Sequence, residues 1–174
     1  KPKDGSVRWL QDCHGDTYSV VPVGDVVYSV GHAHFCSNIG GFPETKPQTN
    51  QRALAVTKSA QGKVATNGQP GSHYGNFAGN PAPSLLNWFP SLSVGTYTGQ
   101  SQAAWSVTAA RGYLLLGGEF LSVDGHKQQG LVRFALPSAA PRAEGPVLQG
   151  AATAPTATVA GAGSVVVSWP GNYD

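Results

Sequence analysis

Trp105-Ser106-Val107-Thr108, then Ala109-Ala110-Arg111-Gly112, then Tyr113-Leu114-Leu115-Leu116-Gly117-Gly118 is the stretch on which the fold turns. Two short apolar runs flank a four-residue connection containing glycine, the pattern of a β-hairpin. Gly130–Ala135 follows as a third strand. The same order occurs nearer the N-terminus. Thr17–Val21 and Val26–Gly31 are β-rich runs joined by Pro22-Val23-Gly24-Asp25, and Arg52–Lys58 alternates as a half-buried strand does. Tyr18-Ser19-Val20 matches Trp105-Ser106-Val107, and Val26-Val27-Tyr28 matches Tyr113-Leu114-Leu115. Gln51-Arg52-Ala53-Leu54-Ala55-Val56 matches Gln129-Gly130-Leu131-Val132-Arg133-Phe134. The chain thus holds an internal repeat with copies at about 9–58 and 104–136. Each copy is a small antiparallel sheet that cannot bury both faces alone, and such units stack radially in propellers. No segment has helical periodicity. The expected fold is all-β, made of antiparallel, propeller-like blades that do not complete a ring.

Between the copies, residues 59–103 are rich in Gly, Pro, Asn and Ser, with Tyr74, Phe77, Trp88, Phe89 and Tyr97 spaced through them. A segment this long without periodicity reads as an ordered functional loop or an insertion. After Pro137 the composition shifts to Ala, Pro, Thr and Gly, so 137–155 reads as a linker. Ala157–Ala160 and Ser164–Trp169 are two further strand-like runs within 156–174.

Composition narrows the function classes. Only 11% of residues are charged, against about 25% in ordinary domains, and the polar surface falls to Ser, Thr, Asn and Gln. The net charge is +2 and the basic residues are scattered, whereas counterion-release binding needs neighbouring cations, so nucleic acid is not an expected partner. No apolar run approaches the ~20 residues of a membrane span. No signal peptide is visible at Lys1-Pro2-Lys3-Asp4, so an extracellular or cell-surface location is inferred from composition and cysteines instead.

Three stretches resemble known modules. Tyr113-Leu114-Leu115-Leu116-Gly117-Gly118-Glu119-Phe120-Leu121-Ser122-Val123-Asp124-Gly125, followed by Gln129–Phe134, resembles the delta-60 type propeller repeat of bacterial secreted proteins. Asp12-Cys13-His14-Gly15-Asp16 through Gly40-Gly41-Phe42-Pro43 is similar to a cysteine-bearing blade of large actinobacterial surface proteins. Val165-Val166-Val167-Ser168-Trp169 with Asn172-Tyr173-Asp174 resembles the opening of a fibronectin type III module, a β-sandwich that needs about 100 residues. The resemblance implies a piece of a larger secreted chain and surface display more than a shared reaction; two blades expose sheet faces and edges that a complete ring would cover, so the rest of that chain or further copies are the expected partners.

Chemistry concentrates in one place: Asp12, Cys13, His14, Asp16, His32, His34 and Cys36. Exactly two cysteines in a chain with secreted character pair most simply as Cys13–Cys36. Such a bridge closes a loop of about 23 residues and stabilises by roughly 3 kcal/mol on the chain-entropy account. His32 and His34 at i, i+2 share one face of a strand. With His14 and Asp16 they form a candidate zinc or copper ligand set, against which stands hydrogen bonding of the histidines to backbone or to Asp16 and Asp25. No Gly-x-Ser-x-Gly elbow is present, and the nine acidic residues are dispersed. Three expectations therefore stand side by side. One is a non-catalytic surface or binding module that holds glycans through Tyr74, Asn76, Asn87 and Trp88. The others are a piece of a secreted propeller enzyme with a His/Asp metal site, and a structural spacer.

Overall fold

The computed structural model describes residues 3–69, 73–137, 139 and 150–171. Its strands in chain order are β1 Thr17–Val23, β2 Val26–Ala33, β3 Gln51–Thr57, β4 Gly62–Lys63, β5 Pro81–Ala82, β6 Ala104–Ala110, β7 Tyr113–Gly118, β8 Ser122–Val123, β9 His126–Lys127, β10 Leu131–Ala135, β11 Thr156–Gly161 and β12 Ser164–Ser168. Strand makes up 41% of the chain and helix 4%, so the fold is all-β, in several small antiparallel sheets of which none closes into a barrel. Two three-stranded sheets carry most of the order, β1-β2-β3 and β6-β7-β10 with β7 central. Both lie in the unit Lys1–Leu136; Pro137–Asp174 is a second compact unit.

The hairpin connections are tighter than the four residues read from the sequence. β1 pairs through Val23↔Val26 and β6 through Ala110↔Tyr113, leaving Gly24-Asp25 and Arg111-Gly112 as two-residue turns. Such turns need positive φ to follow the right-handed strand twist. Gly24 (φ 55°), Arg111 (φ 52°) and Gly112 (φ 80°) supply it.

The two hairpins match in register, residue for residue. Thr17↔Gly31, an irregularity at Tyr18, and Ser19↔Val30 in one correspond to Ala104↔Gly118, an irregularity at Trp105, and Ser106↔Gly117 in the other. Beyond the irregularity, His32 N–H donates to Asp16 O (3.0 Å) and Glu119 N–H to Ala103 O (2.7 Å). The third strands match too, with Val30↔Ala53 beside Gly117↔Leu131. A Cβ on Gly31 would lie 1.9 Å from Asp16 O, and one on Gly118 would lie 2.0 Å from Ala103 O. A backbone oxygen cannot rotate away, so glycine is required at both places for the same reason. Gly31→Ala and Gly118→Ala are each expected to cost at least the roughly 1–3 kcal/mol of an overpacked site. Gly117→Ala, with nothing within 4 Å of its added Cβ, is expected to be far milder. Urea denaturation of the three variants checks this.

The sheets pack on each other through opposite faces. β1-β2-β3 contributes Val21, Tyr28, Val30 and Ala53 to the main core, whereas β6-β7-β10 contributes Val107, Leu114, Leu116, Val132 and Phe134. In matched register, Ala53 (1% exposed) corresponds to Leu131 (57%), and Val107 (6%) corresponds to Val20 (58%). What one copy buries, the other leaves open. β1 and β6 meet where Val107 N–H donates to Ser19 Oγ (3.2 Å) and the Tyr18 and Trp105 rings lie 4.5 Å apart, tilted by 35°.

β3 departs from the half-buried strand its alternation predicts: Arg52 through Val56 are all buried. Ala53 joins the main core, and on the other face Leu54 packs with Ala33 and Cys36 beside Ile39, Phe42, Leu85 and Phe89. Residues 84–86 also run along β3, through Leu86 N–H to Ala55 O and Thr57 N–H to Ser84 O. Part of the 59–103 segment thus adds an edge to the first sheet.

In the second unit, β11 and β12 form a hairpin with an irregularity between Val159 and Gly161, and one 3₁₀ turn spans Gly150–Thr153. Residues 140–149 of the expected linker and Asn172-Tyr173-Asp174 lie outside the described residues. No helix among the described residues is long and apolar enough to cross a membrane.

Candidate functional site

Cys13 and Cys36 are bridged, with Cα atoms 4.2 Å apart. Past the bridge, the chain pairs antiparallel: His14 N–H donates to Phe35 O (2.7 Å) and His34 N–H to His14 O (2.9 Å). This ladder delivers two imidazoles to one buried spot beside the 3₁₀ turn Ser37–Ile39. Their rings lie 6.2 Å apart, and Tyr74 stacks on His14 at 3.8 Å with 14° between the planes.

A polar network surrounds these rings. His14 Nδ1 donates to Gln69 Oε1, and Gln69 Nε2 in turn donates to Glu44 Oε2. With Nδ1 protonated, Nε2 is the acceptor, and Asn38 Nδ2 faces it at 3.4 Å. Asn38 Nδ2 also donates to Asp12 Oδ2 (2.9 Å), and Asn38 Oδ1 accepts from Gly68 N–H (3.1 Å). His34 Nε2 meets Tyr74 Oη at 3.2 Å. Its Nδ1 lies 3.1 Å from Glu44 Oε1 but makes no hydrogen bond there. His14 is 1% exposed; a neutral imidazole with both nitrogens engaged can lie there without an unmet polar group.

His32 belongs to a different group. Its Nδ1 meets Tyr18 Oη at 2.8 Å, and its Nε2 faces Asp16 Oδ2 at 3.8 Å. The expected shared face of His32 and His34 presumes a regular strand. β2 ends at Ala33, its pairing with β3 shifts between Val30 and Ala33, and the two imidazoles find separate partners. The metal set His14, Asp16, His32 and His34 is therefore divided in two, and no group of three or more His, Cys, Asp or Glu among the described residues is arranged to hold a metal ion. Nor, among the described residues, is a serine hydroxyl shown as a partner of these three histidines.

The four residues expected to bind glycan also separate. Trp88 packs edge-on to Tyr28 (5.1 Å) and Phe134 (5.4 Å) at the main core. Tyr74 belongs to the histidine network. Asn76 Oδ1 accepts from Asn67 and Ala78 N–H at 3.2 and 3.3 Å, closing its own loop. Asn87 lines a cleft of about 390 Å³, shared with Gly40, Gly41, Phe42, Gln51, Leu85, Leu86 and Phe89. Gly41 shapes its wall, since a Cβ there would stand 2.7 Å from Leu85 and 2.8 Å from Cys36 Cβ. Phe42 and Phe89 meet edge to face at 5.9 Å and 87°.

Comparison with protein-family models, with curated proteins and with solved structures found no match in any of the three. Function rests on the chain's own residues.

Of the residues gathered in this bridge, network and cleft, Asp12, Cys13, His14, His34, Cys36, Tyr74 and Asn87 were already candidates from the sequence. Sequence reasoning missed Gln69, Glu44 and Asn38, whose partners lie 55, 25 and 26 positions away, and no local pattern marks such contacts. Glu119 was read only as one of the dispersed acids. Its carboxylate accepts from Thr98 N–H (2.9 Å), Thr98 Oγ1 (2.7 Å) and Trp105 Nε1 (3.3 Å). The Thr98 backbone bond first, and then the Thr98 hydroxyl, hold its pKa below the ordinary 4.5. A lowered folded pKa stabilises above the unfolded pKa and loses that contribution as pH falls through the folded value. Glu119→Gln is therefore expected to lower Tm near pH 6, with the difference from wild type shrinking steadily below about pH 4.5. Melts across pH 3–6 would check it.

Proposed function

We propose that the chain is a non-catalytic, extracellular binding module of β-propeller-like repeats, part of a larger secreted protein, that holds carbohydrate in the Phe42–Phe89 cleft. The cleft's composition carries this reading: two aromatic rings stand beside the amides of Gln51 and Asn87. A sugar offers an apolar ring face to aromatic carbon and hydroxyls to amides, which both donate and accept. The walls are fixed by the Cys13–Cys36 bridge and by β3, so little ordering is needed on binding.

Matched hairpin register and opposite-face packing support the propeller-like part. Two sheets that closed on each other as equals would bury equivalent faces. Opposite faces in contact are what radial repetition requires, because each blade must then receive the next. The disulfide supports an oxidising, extracellular setting, and the internal partners of His14, Gln69 and Asn38, support a structural part for that cluster.

Phe89→Ala and Asn87→Ala are each expected to weaken binding of a soluble neutral oligosaccharide about tenfold, roughly 1.4 kcal/mol. Trp88→Ala is expected to lower stability instead. Calorimetric titration beside thermal melts separates these effects, and unchanged affinity in both cleft variants would sink the assignment.

A further inference from the structure

We propose a second carbohydrate subsite, on the other sheet: a cleft under Tyr97 that takes a neutral sugar ring. It rests on the binding-module reading above but uses different residues. Thr96, Tyr97, Glu119, Leu121 and Gln129 line it together with the Gly118, Phe120 and Gly130 backbone, and its volume is about 520 Å³.

Tyr97 is 95% exposed, yet the loop carrying it is pinned. Gly95 N–H donates to Gln102 O (2.8 Å) and Gly99 N–H to Thr96 O (3.2 Å). Thr98, next to Tyr97, gives both its N–H and its hydroxyl to the Glu119 carboxylate. A Cβ on Gly95 would stand 1.8 Å from Glu119 O, so the loop lies directly against the chain leaving β7. A ring held out in water by an ordered loop contributes nothing to the chain's own core. It is, however, preorganised for a ligand's apolar face.

The rest of the cleft fits the polar edge of the same ligand. Glu119 takes hydrogen bonds from Thr98 N–H, Thr98 Oγ1, Trp105 Nε1 and the Gln102 backbone, and as an acceptor-only group it meets a ligand hydroxyl as donor. The carboxylate is held in its ionised form by Thr98, so it accepts from hydroxyls and repels acidic sugars. Leu121, 47% exposed, adds apolar surface, and the exposed Gln129 adds an amide.

One likeness of sequence joins the two clefts: Gln129, which lines this one, opens the second copy's third strand run as Gln51, which lines the other, opens the first copy's.

The test is backbone amide shift mapping on the whole chain, titrated separately with cellohexaose, xylohexaose, chitohexaose and hexagalacturonate. At least one neutral oligosaccharide is expected to shift residues 96–98, 119–121 and 129 saturably, and hexagalacturonate is expected to leave them unmoved. Tyr97→Ala should weaken this response at least tenfold, with Tyr97→Phe retaining it and the response of residues 40–42 and 85–89 unaffected. Shifts confined to 40–42, 51 and 85–89 would refute the second subsite and leave the first cleft standing. Shifts confined to the Tyr97 cleft would do the reverse. No shift with any neutral oligosaccharide would refute both, and equal binding of hexagalacturonate would refute the part given to Glu119.

Discussion

Phe120→Ala is expected to destabilise the chain by about 3–5 kcal/mol, the range for emptying a fully buried aromatic site. Phe120 is 0% exposed and the largest of the fully buried side chains. It packs with Leu92, Ala103, Ala104, Leu114, Leu116 and Val123, which come from β6, β7, β8 and the 59–103 segment. Its carbonyl also accepts from Gly130 N–H at 3.0 Å, which ties the turn after β7 to the start of β10. Those elements are anchored by backbone pairing, so they cannot collapse into the vacated volume, and the cavity cost adds to the lost transfer energy. Against a total stability of about 5–15 kcal/mol, the loss is large enough to lower Tm by many degrees. Urea denaturation of the variant is the check; a change under about 1 kcal/mol would mean that this core is not packed as described.

Removing the disulfide, as Cys13→Ala with Cys36→Ala, is expected to cost about 2–5 kcal/mol. The reason is specific to the first copy. In matched register, Ala33 stands where the second copy has Phe120, because Gly31 corresponds to Gly118. The small side chain leaves room, and the bridge fills it with Leu54, Ile39, Phe42, Leu85 and Phe89. The bridge is thus both a constraint on a 23-residue separation and part of a core. Its loss should loosen the His14–Phe35 ladder and, with it, the Phe42–Phe89 cleft. Hydrogen exchange should show lost protection at His14, His34 and Gly41, whose amides are all bonded to this loop, while β7 keeps its protection. Uniform loss across both sheets would indicate that the two copies unfold as one unit.

All-β class, the repeat and the eight main strands were legible in the sequence, because hydrophobic runs, glycine turns and the Gln-led third strand are local signals. Element ends were less so. Pro22 and Ala109 read as turn residues, yet both continue their strands, because a two-residue turn with positive φ suffices. The alternation of β3 pointed to one buried face; the second is covered by Leu85 and Phe89, more than thirty positions away in sequence, which no periodicity reports. The same non-locality governs the site. His32-Ala33-His34 has chelating spacing only while the strand stays regular, and Trp88 looks like a platform until Tyr28 and Phe134 are seen against it. The cysteine pair was accessible from count and composition alone.

The most direct test of the central claim is titration of the native, disulfide-bonded chain with neutral oligosaccharides, read by amide shifts, beside elemental analysis of the same sample. Saturable shifts at residues 40–42, 51 and 85–89, with no stoichiometric transition metal, are the predicted result. Silence across the sugar panel, with zinc or copper bound at one equivalent and shifts centred on His14, His32 and His34 when it is removed, would contradict the account and make the histidines the functional centre.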